Sequence, residues 1–128
     1  LVKRDMAALE KIWHPDAVQR IPFPPEGLGA FAPTSFDGRD AIMEHYRTAF
    51  ANRRDHLFWI DHIHRSREAG IVIVEAHARS ILGETGAVYE NAYVCVFVIR
   101  DGRIAELREY ANPLPAMKVF GPVFAEGQ

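Results

Sequence analysis

Apolar residues recur at helical spacing near the start of the chain, at Met6, Leu9, Ile12 and Trp13. That interval predicts a helix, and Pro15 closes the pattern. Val18 to Pro22 reads as a short strand. The helical period returns from about Arg39 to Ala51, where Ile42, His45, Tyr46, Ala49 and Phe50 share one face. Asp37 or Gly38 stands near its N-cap. Beyond it the pattern turns to strand-like runs: His56 to Arg65, Ile71 to Leu82, Ala87 to Ile99 and Arg103 to Ala111. Glu-Ala-Gly, Gly-Glu-Thr-Gly and Arg-Asp-Gly separate them and are turn signals. Short connections between long strands predict an antiparallel meander. Helices first and a meander afterwards give an α+β order.

Residues 22 to 36 fit neither pattern. Prolines 22, 24, 25 and 33 and glycines 27 and 29 break the segment, yet it is too apolar for a solvated linker. It reads as a lid across the open end of the fold, more mobile than the sheet.

The Arg100-Asp101-Gly102 turn sets which side chains of the last two strands share a face. A two-residue Asp-Gly hairpin pairs Val94 with Glu109, whereas a three-residue turn with Gly102 left-handed pairs Tyr93 with Glu109. A one-residue slip exchanges the faces. The bulged turn is the preferred reading. It groups Asn91, Tyr93, Cys95, Phe97, Ala105, Leu107 and Glu109, joined across the preceding turn by Val74, Ala76, Ala78 and Ser80. This mostly apolar face with few polar groups suits a ligand cavity. Glu75, His77, Arg79, Glu106, Arg108 and Tyr110 fall on the opposite face, which suits solvent or a polar dimer interface.

Composition narrows the picture. The 128 residues suit one domain spanning 1–128, with 48% hydrophobic and 25% charged positions and a net charge of −2. No basic block suggests nucleic acid, and no apolar run reaches the length of a membrane span. Cys95 is the single cysteine, so disulfides and cysteine-ligated zinc within one chain are excluded, and a cytoplasmic protein is the default expectation. No phosphate-binding glycine loop is present. His62 and His64 sit at the period of two, but no third ligand is evident; no metal and no cofactor are expected.

The segments Tyr89-Glu90-Asn91-Ala92-Tyr93, Arg100-Asp101-Gly102-Arg103-Ile104 and Arg108-Glu109-Tyr110-Ala111-Asn112-Pro113, with the helix from Gly38 through His45, resemble the SnoaL-like branch of the nuclear transport factor 2-like, ketosteroid isomerase-like superfamily. Within it they are most similar to phenazine-biosynthesis A/B-type proteins and SnoaL-like polyketide cyclases. The resemblance implies a cone-shaped α+β barrel of the cystatin-like type, a curved antiparallel sheet wrapped around N-terminal helices. It also implies acid/base roles for Glu109 on the last strand and His45 on the helix.

Among apolar neighbours, Glu109 is expected to have a pKa raised toward neutrality, as a general acid or base requires. His45, a group that titrates near physiological pH, is its expected proton-transfer partner. Asn91 and Tyr93 offer an amide and a phenol for a ligand carbonyl, and Leu107, Cys95, Tyr46, Phe36 and Trp59 complete the expected substrate-binding set. The functional expectation is a homodimeric isomerase or lyase working without cofactor on a small apolar cyclic or conjugated molecule. The alternative is a non-catalytic binding or dimerisation module of the same fold.

Overall fold

A computed structural model describes residues 5–26, 33–83 and 85–126, the last helix beyond Phe120 by its backbone alone. Helix α1 (Met6–Ile12) starts at Asp5, whose Oδ1 accepts from the Ala8 amide at 3.0 Å. It is followed directly by β1 (Trp13–Arg20), then β2 (Ser35–Asp37), α2 (Arg39–Ala51), β3 (Arg53–Arg65), β4 (Ile71–Leu82), β5 (Val88–Arg100), β6 (Arg103–Ala111) and α3 (Pro113–Glu126). The six strands form one curved sheet in the order β2-β1-β6-β5-β4-β3.

The four long C-terminal runs form the antiparallel meander that their turn signals predict. The N-terminal part differs from its sequence pattern. The apolar period carries through Trp13, but the helix stops at Ile12 and Trp13 opens a strand. Pro15 lies inside that strand, between Trp13, paired with Ile104, and Val18, paired with Glu106, where the ladder is interrupted. A residue without an N–H fits such a gap. β1 runs parallel to β6 and extends the meander. Of the proposed lid, residues 27–32, including Phe31 and both glycines, lie outside the described residues. On one flank Ile21 donates to the Thr34 carbonyl at 2.8 Å, and on the other Phe23 leans on Tyr110 with ring centroids 5.8 Å apart.

The hairpin between β5 and β6 corrects the expected turn. Arg100 pairs with Arg103 across the two-residue loop Asp101-Gly102, both at positive φ (55° and 72°), as a tight hairpin requires. The extra residue sits further along: Ile99 faces Ile104 but Val98 faces Glu106, so Ala105 is a bulge in β6. Glu109 therefore pairs with Cys95, and not with Tyr93 or Val94. The shift is two residues from the preferred register, so the faces come out as expected.

Leu9 of α1 and Ile42, Met43 and Phe50 of α2 are buried with Val74, Ala76, Cys95 and Leu107 in one core on the concave face. Leu9, Ile42 and Met43 are at most 5% exposed. Removing water from side chains of that size stabilises by about 1.5–3 kcal/mol each. α2 is thereby pinned across the sheet and sets what its half-buried residues His45 and Tyr46 can reach.

Candidate active site

Glu109 projects from β6 onto the concave face. Its Oε2 accepts a hydrogen bond from Gln19 Nε2 at 2.9 Å, and Gln19 Oε1 accepts one from the Tyr46 hydroxyl at 3.1 Å. Burial pushes the Glu109 pKa up; the Gln19 bond and the positive charge of Arg53 oppose that rise. The residue as a whole is half-buried. Tyr46 stays a neutral phenol, its pKa raised by burial and by the nearby Glu109 charge. Cys95, directly across from Glu109, has its thiol pKa pushed up to about 12, by burial first and Glu109 second. That makes it a small apolar wall and a poor nucleophile.

His45 sits on α2 against Phe36, their rings stacked at 4.2 Å, and beside Tyr46 at 5.3 Å. Burial, then the charge of Arg53, lowers its pKa to about 4, so the ring is neutral at physiological pH. No hydrogen bond joins it to Glu109 among the described residues.

The structure thus places Glu109, Tyr93, Leu107, Cys95 and Tyr46 on one face, with His45 and Phe36 beside Tyr46. Burial first, then the neighbouring Tyr89 and Glu109, push the Tyr93 pKa up, so its phenol stays neutral and is hydrogen-bonded to Tyr89. Asn91 shares this face, but its amide is engaged: Nδ2 donates to the Asn112 carbonyl at 2.8 Å and to the Tyr89 hydroxyl at 3.2 Å, and Oδ1 accepts from the Ala92 amide at 2.9 Å. It staples β5 to the start of α3. Trp59 does not join the group. It stands on the convex face, 40% exposed, stacked on His77 at 4.5 Å. The reason is its pairing with His77, whose neighbours Ala76 and Ala78 face inward.

Two residues of the site escaped the sequence reading. Gln19 is a polar residue in a strand with no apolar alternation to mark its buried face, although Ala17 and Gln19 are both 0% exposed. Arg53 opens β3 three residues before the run that His56 appeared to begin. Its charge is felt by His45, Tyr93 and Glu109, and its guanidinium carbon lies 5.3 Å from the centre of the Tyr89 ring.

A family model described as a SnoaL-like domain matches residues 1–107. The chain belongs to the SnoaL-like family. Members of this fold family bind small molecules or act as cyclases and isomerases. One relative, the protein YesE of Bacillus subtilis (strain 168), is 30% identical over 126 residues, 98% of this chain and 83% of its own. A crystal structure of a phenazine biosynthesis-related protein from Pseudomonas aeruginosa superposes with a TM-score of 0.75 at 17% identity, covering 92% of this chain and 76% of that one. A protein with a ketosteroid isomerase-like fold from Catenulispora acidiphila, solved with trimethylamine, superposes at 0.67 and 16% identity over 85% and 76%. These two structures share the SnoaL-like fold of this chain. Among the described residues no group of three or more His, Cys, Asp or Glu has metal-binding geometry, and no helix is long and apolar enough to cross a membrane.

Proposed function

We propose that this SnoaL-like chain, one domain over residues 1–128, is a cofactor-free isomerase, cyclase or dehydratase. It acts on a small apolar cyclic or conjugated molecule by moving a proton through Glu109. The supporting observation is the carboxyl itself: it lies inside the fold, is hydrogen-bonded to a neutral amide, and burial raises its pKa toward the range where a group both takes and returns protons. Tyr93 provides a neutral phenol for a developing oxyanion nearby. His45, neutral at pH 7, serves as an acceptor or a packing wall, and Leu107, Cys95, Tyr46 and Phe36 line the apolar surround.

A panel of cyclic enones and β-hydroxy ketones incubated in D2O tests this reading through solvent deuterium incorporation. The wild type should accelerate exchange on at least one member, and Glu109→Gln should remove most of that acceleration. If a compound binds wild type and variant alike and neither exchanges nor transforms it, the protein is a binding module and the catalytic reading fails.

The functional unit we infer is a cytoplasmic homodimer joined through the convex face. Trp59 and Val94 are 40% and 41% exposed there, with Tyr110 between charged pairs, a combination of apolar and polar surface suited to an interface. A cytoplasmic setting agrees with a free thiol at Cys95. Light scattering at tens of micromolar should give twice the chain mass, and Val94→Arg should halve it; a monomeric wild type contradicts the dimer.

A further inference from the structure

Gln19 is fully buried on β1, paired with Leu107 of β6, two residues before Glu109. A buried carboxamide has to satisfy two donors and an acceptor. Here both ends are engaged by the site: the Tyr46 hydroxyl donates to Oε1 at 3.1 Å and Nε2 donates to Glu109 Oε2 at 2.9 Å. We propose that Gln19 is a positioning residue that holds one oxygen of the Glu109 carboxyl and supports it in both protonation states by turning its carboxamide. This rests on Glu109 being the proton-transfer group proposed above.

The chemistry of the three groups carries the inference. A carboxylate needs a donor, which Nε2 provides. A carboxylic acid needs an acceptor, which Oε1 provides after a half-turn of the amide. The same half-turn presents Nε2 to Tyr46, whose hydroxyl can accept as readily as it donates. The chain Tyr46–Gln19–Glu109 is therefore satisfied before and after the proton moves. A lysine or arginine at position 19 would favour only the anion, and a leucine would leave the carboxyl without its partner. Glu109 Oε1 has no hydrogen-bond partner among the described residues, so it is the oxygen left to meet a substrate. The other titratable or charged groups near Glu109 are Arg53, Tyr46, Tyr93 and Cys95. Only Arg53 carries charge at neutral pH, and it favours the anion.

The test uses the ligand-free protein, labelled for NMR, titrated from about pH 4 to about pH 9 across the carboxyl range. The Gln19 side-chain amide signals should move with the same midpoint as the Glu109 carboxyl carbon. Gln19→Leu should raise the Glu109 midpoint by about one pH unit, because the charge-assisted bond lost by the anion is stronger than the neutral bond lost by the acid. Tyr46→Phe keeps the ring packing and removes only the donor to Oε1; it should raise the midpoint by a smaller amount. The variant and the wild-type tracking decide the matter even if Gln19→Leu fails to fold. An amide signal indifferent to the Glu109 titration, or a midpoint unmoved in Tyr46→Phe and in any folded Gln19→Leu, overturns the proposal. Because no substrate is present, the outcome is independent of turnover: tracking with an active Glu109→Gln keeps Gln19 as a positioning residue and removes the catalytic reading.

Discussion

Two glutamates of β6, three residues apart, occupy opposite faces of the sheet and have opposite surroundings. Glu106 faces outward, with Arg20 Nε at 3.3 Å and Arg108 at 3.4 Å, and its side chain is 30% exposed. Nearby on the convex face Arg79 pairs with Glu90, while the His64 and His77 rings hydrogen-bond to Glu75 and Asp61. Such pairs are matched and screened by water. Glu109 faces inward and is bonded to a neutral amide, with burial raising its pKa. One face neutralises its charges, and the other keeps a single carboxyl in an environment where charge is disfavoured. The reactivity proposed for Glu109 follows from the second arrangement, since a proton is easily exchanged only where neither state is locked.

The sharpest way to break this comparison is to neutralise each glutamate. Glu109→Gln should lower turnover on the substrate found in the deuterium screen by about 10²–10⁴-fold, while Glu106→Gln should leave it within about twofold. Comparable losses in both would show that face does not decide function.

His45 gives the next largest effect, on stability. Its folded pKa of about 4 lies below the unfolded value near 6.5. The unfolded chain therefore takes up the proton first, so the stability is present above about pH 6.5 and is lost as pH falls toward about 4. His45→Phe, which preserves the stack on Phe36, should escape that loss, worth about 3 kcal/mol, in urea unfolding compared at neutral and acid pH. Equal losses in variant and wild type would mean that the ring is not held neutral.

Glu109 should act with the opposite sign. Its raised folded pKa means that the folded chain holds the proton more tightly, so stability present below the unfolded value of about 4.3 is lost as pH rises through the folded pKa. Glu109→Gln keeps an acceptor for Gln19 and should melt a few degrees higher than wild type at alkaline pH, with the gap closing near pH 4. A variant melting lower at alkaline pH would indicate that the anion is stabilised by its site. The smallest effect belongs to the convex side: Glu106→Ala should cost less than about 1 kcal/mol, and less still in high salt.

Much of this arrangement was legible in the residues. Helix α2 and the long strands followed from period and turn chemistry, because each is long and its boundaries carry strong signals. The face of Glu109 also came out correctly, although its turn did not. Faces depend only on register parity, and the bulge at Ala105 preserves it. The failures lie where tertiary pairing overrides local pattern. Trp13 continues a helical period but pairs with Ile104, so the chain leaves the helix one residue early. Helix α3 was not anticipated, although Asn112 Oδ1 caps the Leu114 amide at 3.0 Å and Pro113 takes the first helical position. Gln19 was invisible because only its pairing beside β6 gives it meaning, and its partner there, Glu109, lies 90 positions along the chain.

The bulge at Ala105 also makes the site depend on counting as well as on chemistry. Substitutions along β6 alter one side chain at a time, but deletion of a single residue between the hairpin and Glu109 would rotate every later position by half a turn of the pleat. Arg108 or Tyr110 would then occupy the interior and Glu109 would join the outer row of paired charges. In this chain a point substitution on β6 changes one wall position, whereas a single-residue length change in this short stretch exchanges the two faces unless a second one restores the parity.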